Sequence, residues 1–68
     1  MENVDKVEMT RRIRRELEVR AYSTVDLVWM LGQKELCRAI ILEMSERREV
    51  SGYFDGDGFF VWNLQEMA

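Results

Sequence analysis

The side chains able to do covalent chemistry are few, and their spacing narrows what they could do. The chain contains no histidine and one cysteine, Cys37. That removes the commonest general base, the imidazole metal ligand, the thiolate zinc cluster and any intramolecular disulfide. Cys37 has no histidine beside it and falls on an apolar helical face, so it reads as a small core side chain. The run Asp55-Gly56-Asp57-Gly58 offers two carboxylates, and Glu66 stands at the twelfth position counted from Asp55. A calcium loop needs a ligand at its fifth position and a glycine at its sixth; Phe59 and Phe60 occupy them. The aspartates therefore read as turn residues. With no glycine-rich phosphate loop and no Ser/His/Asp set, no catalytic residue, metal, cofactor or small-molecule substrate is expected, and the chain does not read as an enzyme.

What remains is surface recognition. Leu42 falls between Arg38 and Glu46 on a helical wheel, opposite the buried stripe, and is expected to be exposed. An exposed leucine there suits a protein partner or a second copy of the chain. The cluster Arg11, Arg12, Arg14 and Arg15 spreads over the outer face of the first helix. Glu8 can pair with Arg11 and Arg12, and Glu18 with Arg14, at the three- and four-residue spacing of surface pairs. Any charge left over would serve phosphate or an acidic partner. Five aromatics, Tyr53, Phe54, Phe59, Phe60 and Trp62, crowd the C-terminal segment. Covering the core should use about half of them, leaving the rest, Tyr53 and Phe59 among them, for a partner.

Charge bounds these readings. Ten Lys and Arg against thirteen Asp and Glu give a net charge of −3, which sets up no general attraction for nucleic acid. The imbalance lies at the end, since residues 50–68 hold three acidic groups and no basic one.

The elements that must hold these residues can be read from caps and periodicity. Asp5 and Glu8 form a capping box, with Val4 and Met9 at the spacing of a hydrophobic staple. Met9, Ile13 and Leu17 then recur every fourth residue, predicting a helix from about Lys6 to Arg20. Ser23 and Asp26 repeat the box and Tyr22 with Leu27 the staple, opening a short helix from about Thr24 to Leu31. Leu27, Val28 and Leu31 share its buried face. Gly32 ends it in a left-handed conformation. A third helix runs from about Gln33 to Arg47, with Leu36, Ile40 and Met44 inward and Cys37 and Ile41 widening the stripe. Val50 to Phe54 and Phe59 to Leu64 are rich in aromatic and β-branched residues and flank two Asp-Gly pairs, the pattern of a hairpin. Either pair can hold the turn, so the register stays open. The expected core is Met9, Ile13, Leu17, Leu27, Val28, Leu31, Leu36, Ile40, Met44, Val50 and part of the aromatic set.

Helix, extended piece, helix, helix, hairpin is the order of a winged-helix domain, and the sequence resembles that superfamily. The matching residues are Ser23 to Gly32 as the second helix and its turn, Leu36-Cys-Arg-Ala-Ile40 as the start of a recognition helix, and Val50 to Leu64 as the wing. Only Gln33, Lys34 and Glu35 separate the turn glycine from Leu36, fewer than the family usually places there. The resemblance implies one α+β domain over residues 1–68, three helices and a two-stranded wing, with room for a short third strand near residues 20–22. It also implies a small DNA-binding, transcription-associated regulator with the third helix as recognition helix. On that reading Gln33, Lys34 and Arg38 meet double-stranded DNA, Arg38 bonding guanine and Gln33 adenine through paired donors and acceptors.

The alternative is a protein-interaction module or homodimer that does not bind DNA, using Leu42, Tyr53 and Phe59. The acidic wing favours it, because DNA-binding wings carry basic residues to the phosphates. The longest apolar run, Leu27 to Leu31, is far shorter than the roughly 20 residues of a membrane span. With no leader or membrane segment legible, a cytoplasmic protein is expected.

Overall fold

A computed structural model describes residues 5–65. The chain forms α1 (Lys6–Val19), α2 (Thr24–Leu31), α3 (Lys34–Glu46), β1 (Val50–Phe54) and β2 (Phe60–Leu64). This is the α+β layout read from the sequence, three helices followed by an antiparallel hairpin in a winged-helix-like arrangement. Each helix starts and stops for a local reason. Asp5 accepts the Glu8 amide at 2.8 Å and opens α1, satisfying one of the four amides a helix leaves unpaired at its start. Ser23 Oγ accepts the Asp26 amide at 3.1 Å and opens α2 in the same way. Val4, the other half of the first staple, and Glu66 lie outside the described residues.

Two consecutive residues with positive φ turn the chain from α2 into α3. Gly32 sits at φ 74°, ψ −168°, and Gln33 at φ 53°, ψ 63°. The first is a region that only glycine occupies without strain. Gln33 therefore precedes α3 and does not belong to its first turn. At the far end Arg48 takes a left-handed φ of 62°. Its amide reaches the Ser45 carbonyl at 3.0 Å and the Glu49 amide reaches the Met44 carbonyl at 2.8 Å. That is a Schellman closure with arginine where glycine usually stands.

The core lies where α3 packs on α1 and α2. Met9, Ile13 and Leu17 from α1, Leu27 from α2, Cys37, Ile40, Ile41 and Met44 from α3, and Val50 from β1 are buried together. Val28, Leu31 and Leu36, expected in that core, are only partly buried at its margin, with Tyr22, Trp62 and Leu64. For Val28 and Leu31 the reason is size: α2 is two turns long, so only Leu27 has neighbours on every side. Leu36 lies in the first turn of α3, at the edge of the helix packing.

The hairpin register pairs Val50 with Leu64, Gly52 with Trp62 and Phe54 with Phe60. The turn uses the two Asp-Gly pairs differently. One Asp55 carboxylate oxygen accepts the amides of Asp57 and Phe59, both at 2.9 Å. The positive φ of 87° falls on Gly58. The first pair thus caps the loop and the second turns it. Trp62 makes the sheet three-stranded at one point, donating its amide to the Tyr22 carbonyl at 2.8 Å and accepting the Tyr22 amide at 3.2 Å. This is the short extended contribution read near residues 20–22. Trp62 Nε1 also donates to Thr24 Oγ1 at 2.9 Å, so the hairpin base is tied to the start of α2.

Candidate functional site

Helical periodicity puts Lys34, Arg38 and Leu42 on one line along α3, each a turn apart. A groove of about 700 Å3 runs beside that line. Val25 and Trp29, also one turn apart, form its other wall on α2, and Val28, Ile41 and Trp62 reach its floor. Trp29 is 85% exposed, Val25 67% and Leu42 61%. Leu42 thus stands outside as the helical wheel predicts. The ionisable side chains lining the groove, Lys34 and Arg38, are both cationic. Neither makes an ion pair among the described residues.

The other residues singled out from the sequence do not join this groove. Gln33 is exposed on its left-handed turn ahead of α3. Tyr53 pairs with Val61 and so occupies the sheet face opposite the one that carries Trp62 and Phe60. Phe59, in the hairpin turn, lines a second concavity with Arg20, Asp26 and Phe60. Val25 borders both hollows.

The aromatics also divide differently from the expected half and half. Tyr53, Phe54, Phe59 and Phe60 are exposed, and Trp62 alone of the five is partly buried against the core. The body supports the hairpin through Val50, Trp62 and Leu64, and Val61 is buried as well, while the aromatic side chains toward the turn stand exposed. There the rings lean on one another instead. Phe54, Phe60 and Trp62 form an edge-to-face ladder with both centroid separations at 5.2 Å. This ladder continues the apolar surface of the groove along the hairpin.

Charge on the first helix is largely neutralised within the protein. Glu8 meets Arg12 at 3.2 Å and Arg11 at 3.8 Å. Arg14 pairs with Glu49 rather than with Glu18 as read from the local spacing. The tertiary partner prevails because Glu49, following the α3 closure, is held beside α1 and is less exposed. Lys6 donates to Glu43 at 2.6 Å, tying the start of α1 to the end of α3. That hydrogen bond, with the charges of Lys6 and Arg47, holds the Glu43 carboxyl below its ordinary pKa despite some desolvation. Cys37 is buried, with Sγ 3.3 Å from the Gly32 carbonyl and 3.7 Å from Met9 Sδ. Burial raises its thiol pKa, which suppresses the thiolate.

Trp29 and Val25 are the surface residues that the sequence reading missed. Their signal was present: α2 reads Thr-Val-Asp-Leu-Val-Trp-Met-Leu, apolar on nearly every side. Such a helix asks for cover on more than one face, and the core covers one.

No family model, curated protein or solved structure matches the chain. Among the described residues no helix is long and apolar enough to cross a membrane.

Proposed function

We propose that this chain is a protein-interaction module of winged-helix type that engages its partner through the groove between α2 and α3. The observation that carries the reading is Trp29, 85% exposed, beside Leu42 on a groove that is mostly apolar. A tryptophan left in water costs roughly 2 kcal/mol or more relative to burial, on the usual area scale. Contiguous apolar surface of this kind marks binding sites, and tryptophan is among the residues that dominate interface energies. Base readout needs polar side chains along the outer face of α3, and here Leu42 follows Arg38 on that face. The hairpin carries Asp55 and Asp57 and no basic residue, so it adds repulsion toward phosphate.

Lys34 and Arg38 favour a second reading. They are cations without an ion partner among the described residues, one turn apart on the helix that a winged-helix protein lays in the major groove. On that reading the chain is a small DNA-binding regulator. A duplex titration at two salt concentrations separates the two. The interaction module shows no duplex affinity that falls with salt. Salt-sensitive binding weakened by about 1–3 kcal/mol in Arg38→Ala establishes the DNA reading instead.

A further inference from the structure

The groove has a chemical polarity that its shape alone does not explain. Its apolar wall, Val25 and Trp29, lies on α2, while Lys34, Arg38 and Leu42 form the α3 wall. Among the described residues no carboxylate lines the groove, in a chain whose net charge is −3. Five of the eight cations elsewhere, Lys6, Arg11, Arg12, Arg14 and Arg47, each have a glutamate within 4.0 Å, while Arg15, Arg20 and Arg48 have none among the described residues. At the groove the two cations are left with open donors beside exposed apolar side chains, so whatever fills the groove meets both at once.

We propose that the occupant is an acidic amphipathic helix of a partner protein, about two turns long. This rests on the interaction reading above and names the partner's chemistry. Lys34 and Leu42 are eight residues apart, which is about 12 Å along α3 at 1.5 Å per residue. The matching length of a docked helix is about eight residues. Its apolar side chains lie against Trp29, Val25 and Leu42, in the mode in which a helix fills a hydrophobic groove. Its carboxylates, three or four residues apart, meet Lys34 and Arg38, which have the same one-turn spacing. Arg38 can hold a carboxylate by two parallel bonds, and removal from water strengthens both pairs. The charges select acidic segments and repel basic ones, and the apolar wall supplies most of the affinity.

The test is selection of random twelve-residue peptides displayed on phage against the intact chain, followed by titration of the selected peptides. Titrations use the parent and three variants, Lys34→Glu/Arg38→Glu, Trp29→Ala and Leu42→Asp, each checked for folding by circular dichroism. The expected peptides carry Asp or Glu at three- or four-residue spacing among Leu, Phe or Trp. They lose about tenfold or more in affinity with the double charge reversal, the equivalent of one charge-assisted bond, and as much with Trp29→Ala. Peptides that depend on Trp29 and Leu42 but show no acidic enrichment, and bind the charge-reversed variant equally well, overturn the acidic helix and leave the interaction module standing. If no selected peptide depends on Trp29 or Leu42, both ideas fall. If the chain instead sediments as a dimer that Leu42→Asp breaks, the groove is filled by a second copy and the acidic helix is overturned.

Discussion

Gly52 offers a sharp test of whether the aromatic ladder contributes to stability. A Cβ placed on Gly52 would stand 2.3 Å from Phe60 Cζ, 2.5 Å from Phe60 Cε2 and 3.1 Å from Trp62 Cζ3. The first two distances are well inside van der Waals contact, so Gly52→Ala must push the Phe60 ring aside. Phe60 is the middle ring, in edge contact with both Phe54 and Trp62. Two aromatic contacts at about 0.5–1.5 kcal/mol each put about 1–3 kcal/mol at risk. Alanine restricts the unfolded chain more than glycine, which returns about 0.4–1 kcal/mol. The net expectation is destabilisation by about 1–2 kcal/mol, or roughly 5–15 °C in Tm for a domain of this size. The decisive measurement is the same substitution in a Phe60→Ala background, both series followed by urea denaturation. With the ring gone only the 3.1 Å approach to Trp62 Cζ3 remains, so Gly52→Ala should there cost clearly less than in the parent, at most a few tenths of a kcal/mol. If Gly52→Ala costs the same in both backgrounds, the ladder is not what the glycine accommodates, and the reasoning is wrong.

Replacing Gly32 with valine forces a β-branched residue into φ 74°, ψ −168° and should cost about 1–3 kcal/mol in a denaturation experiment; an unchanged midpoint would mean the turn can be rebuilt without strain. Ser23→Ala removes the acceptor for the Asp26 amide and should lower stability by about 1 kcal/mol, whereas Ser23→Asp should retain it. Glu43 has its pKa lowered chiefly by the hydrogen bond from Lys6, so its contribution to stability is present at neutral pH and lost as pH falls below the ordinary glutamate range. NMR titration should place its midpoint below that of a free glutamate, and Lys6→Gln should move it back upward; the same midpoint in both proteins would refute the pairing.

Most of the fold was legible because its signals are local. Asp5 and Ser23 cap their helices through an amide three residues on, and spacing of that kind is visible in a sequence. The stripe Met9, Ile13, Leu17 is buried for the same reason, since a helix repeats its own face regardless of what covers it. What escaped was decided by distant parts of the chain. Arg14 had a glutamate at the right local spacing and found a better placed one 35 residues away. An even division of the aromatics presumes that one face of the hairpin covers the core along its whole length, whereas Phe54 and Phe60, on the same face as Trp62, stand exposed toward the turn. At the site, Lys34, Arg38 and Leu42 could be placed on one line from helical periodicity. The opposite wall could not, because joining Trp29 to them requires the angle at which α2 meets α3, and that angle is set by the two left-handed residues of the turn.

The backbone bridge between Tyr22 and Trp62 has a consequence for how the chain is completed. A ribosome delivers α1, α2 and α3 well before residue 62, and domains assemble as their segments emerge. At that stage the N–H and C=O of Tyr22 have only water for partners, and Thr24 Oγ1 lacks its donor. The side of the core that Val50 closes is open as well. Val50 of β1 closes the core side, and β2 then supplies the partners of Tyr22 and Thr24 together, because Trp62 carries both backbone partners of Tyr22 and the indole that reaches Thr24. A nascent chain halted before residue 60 would hold both walls of the groove but only the Val28 and Ile41 part of its floor. The groove acquires Trp62 only once the second strand of the hairpin has emerged.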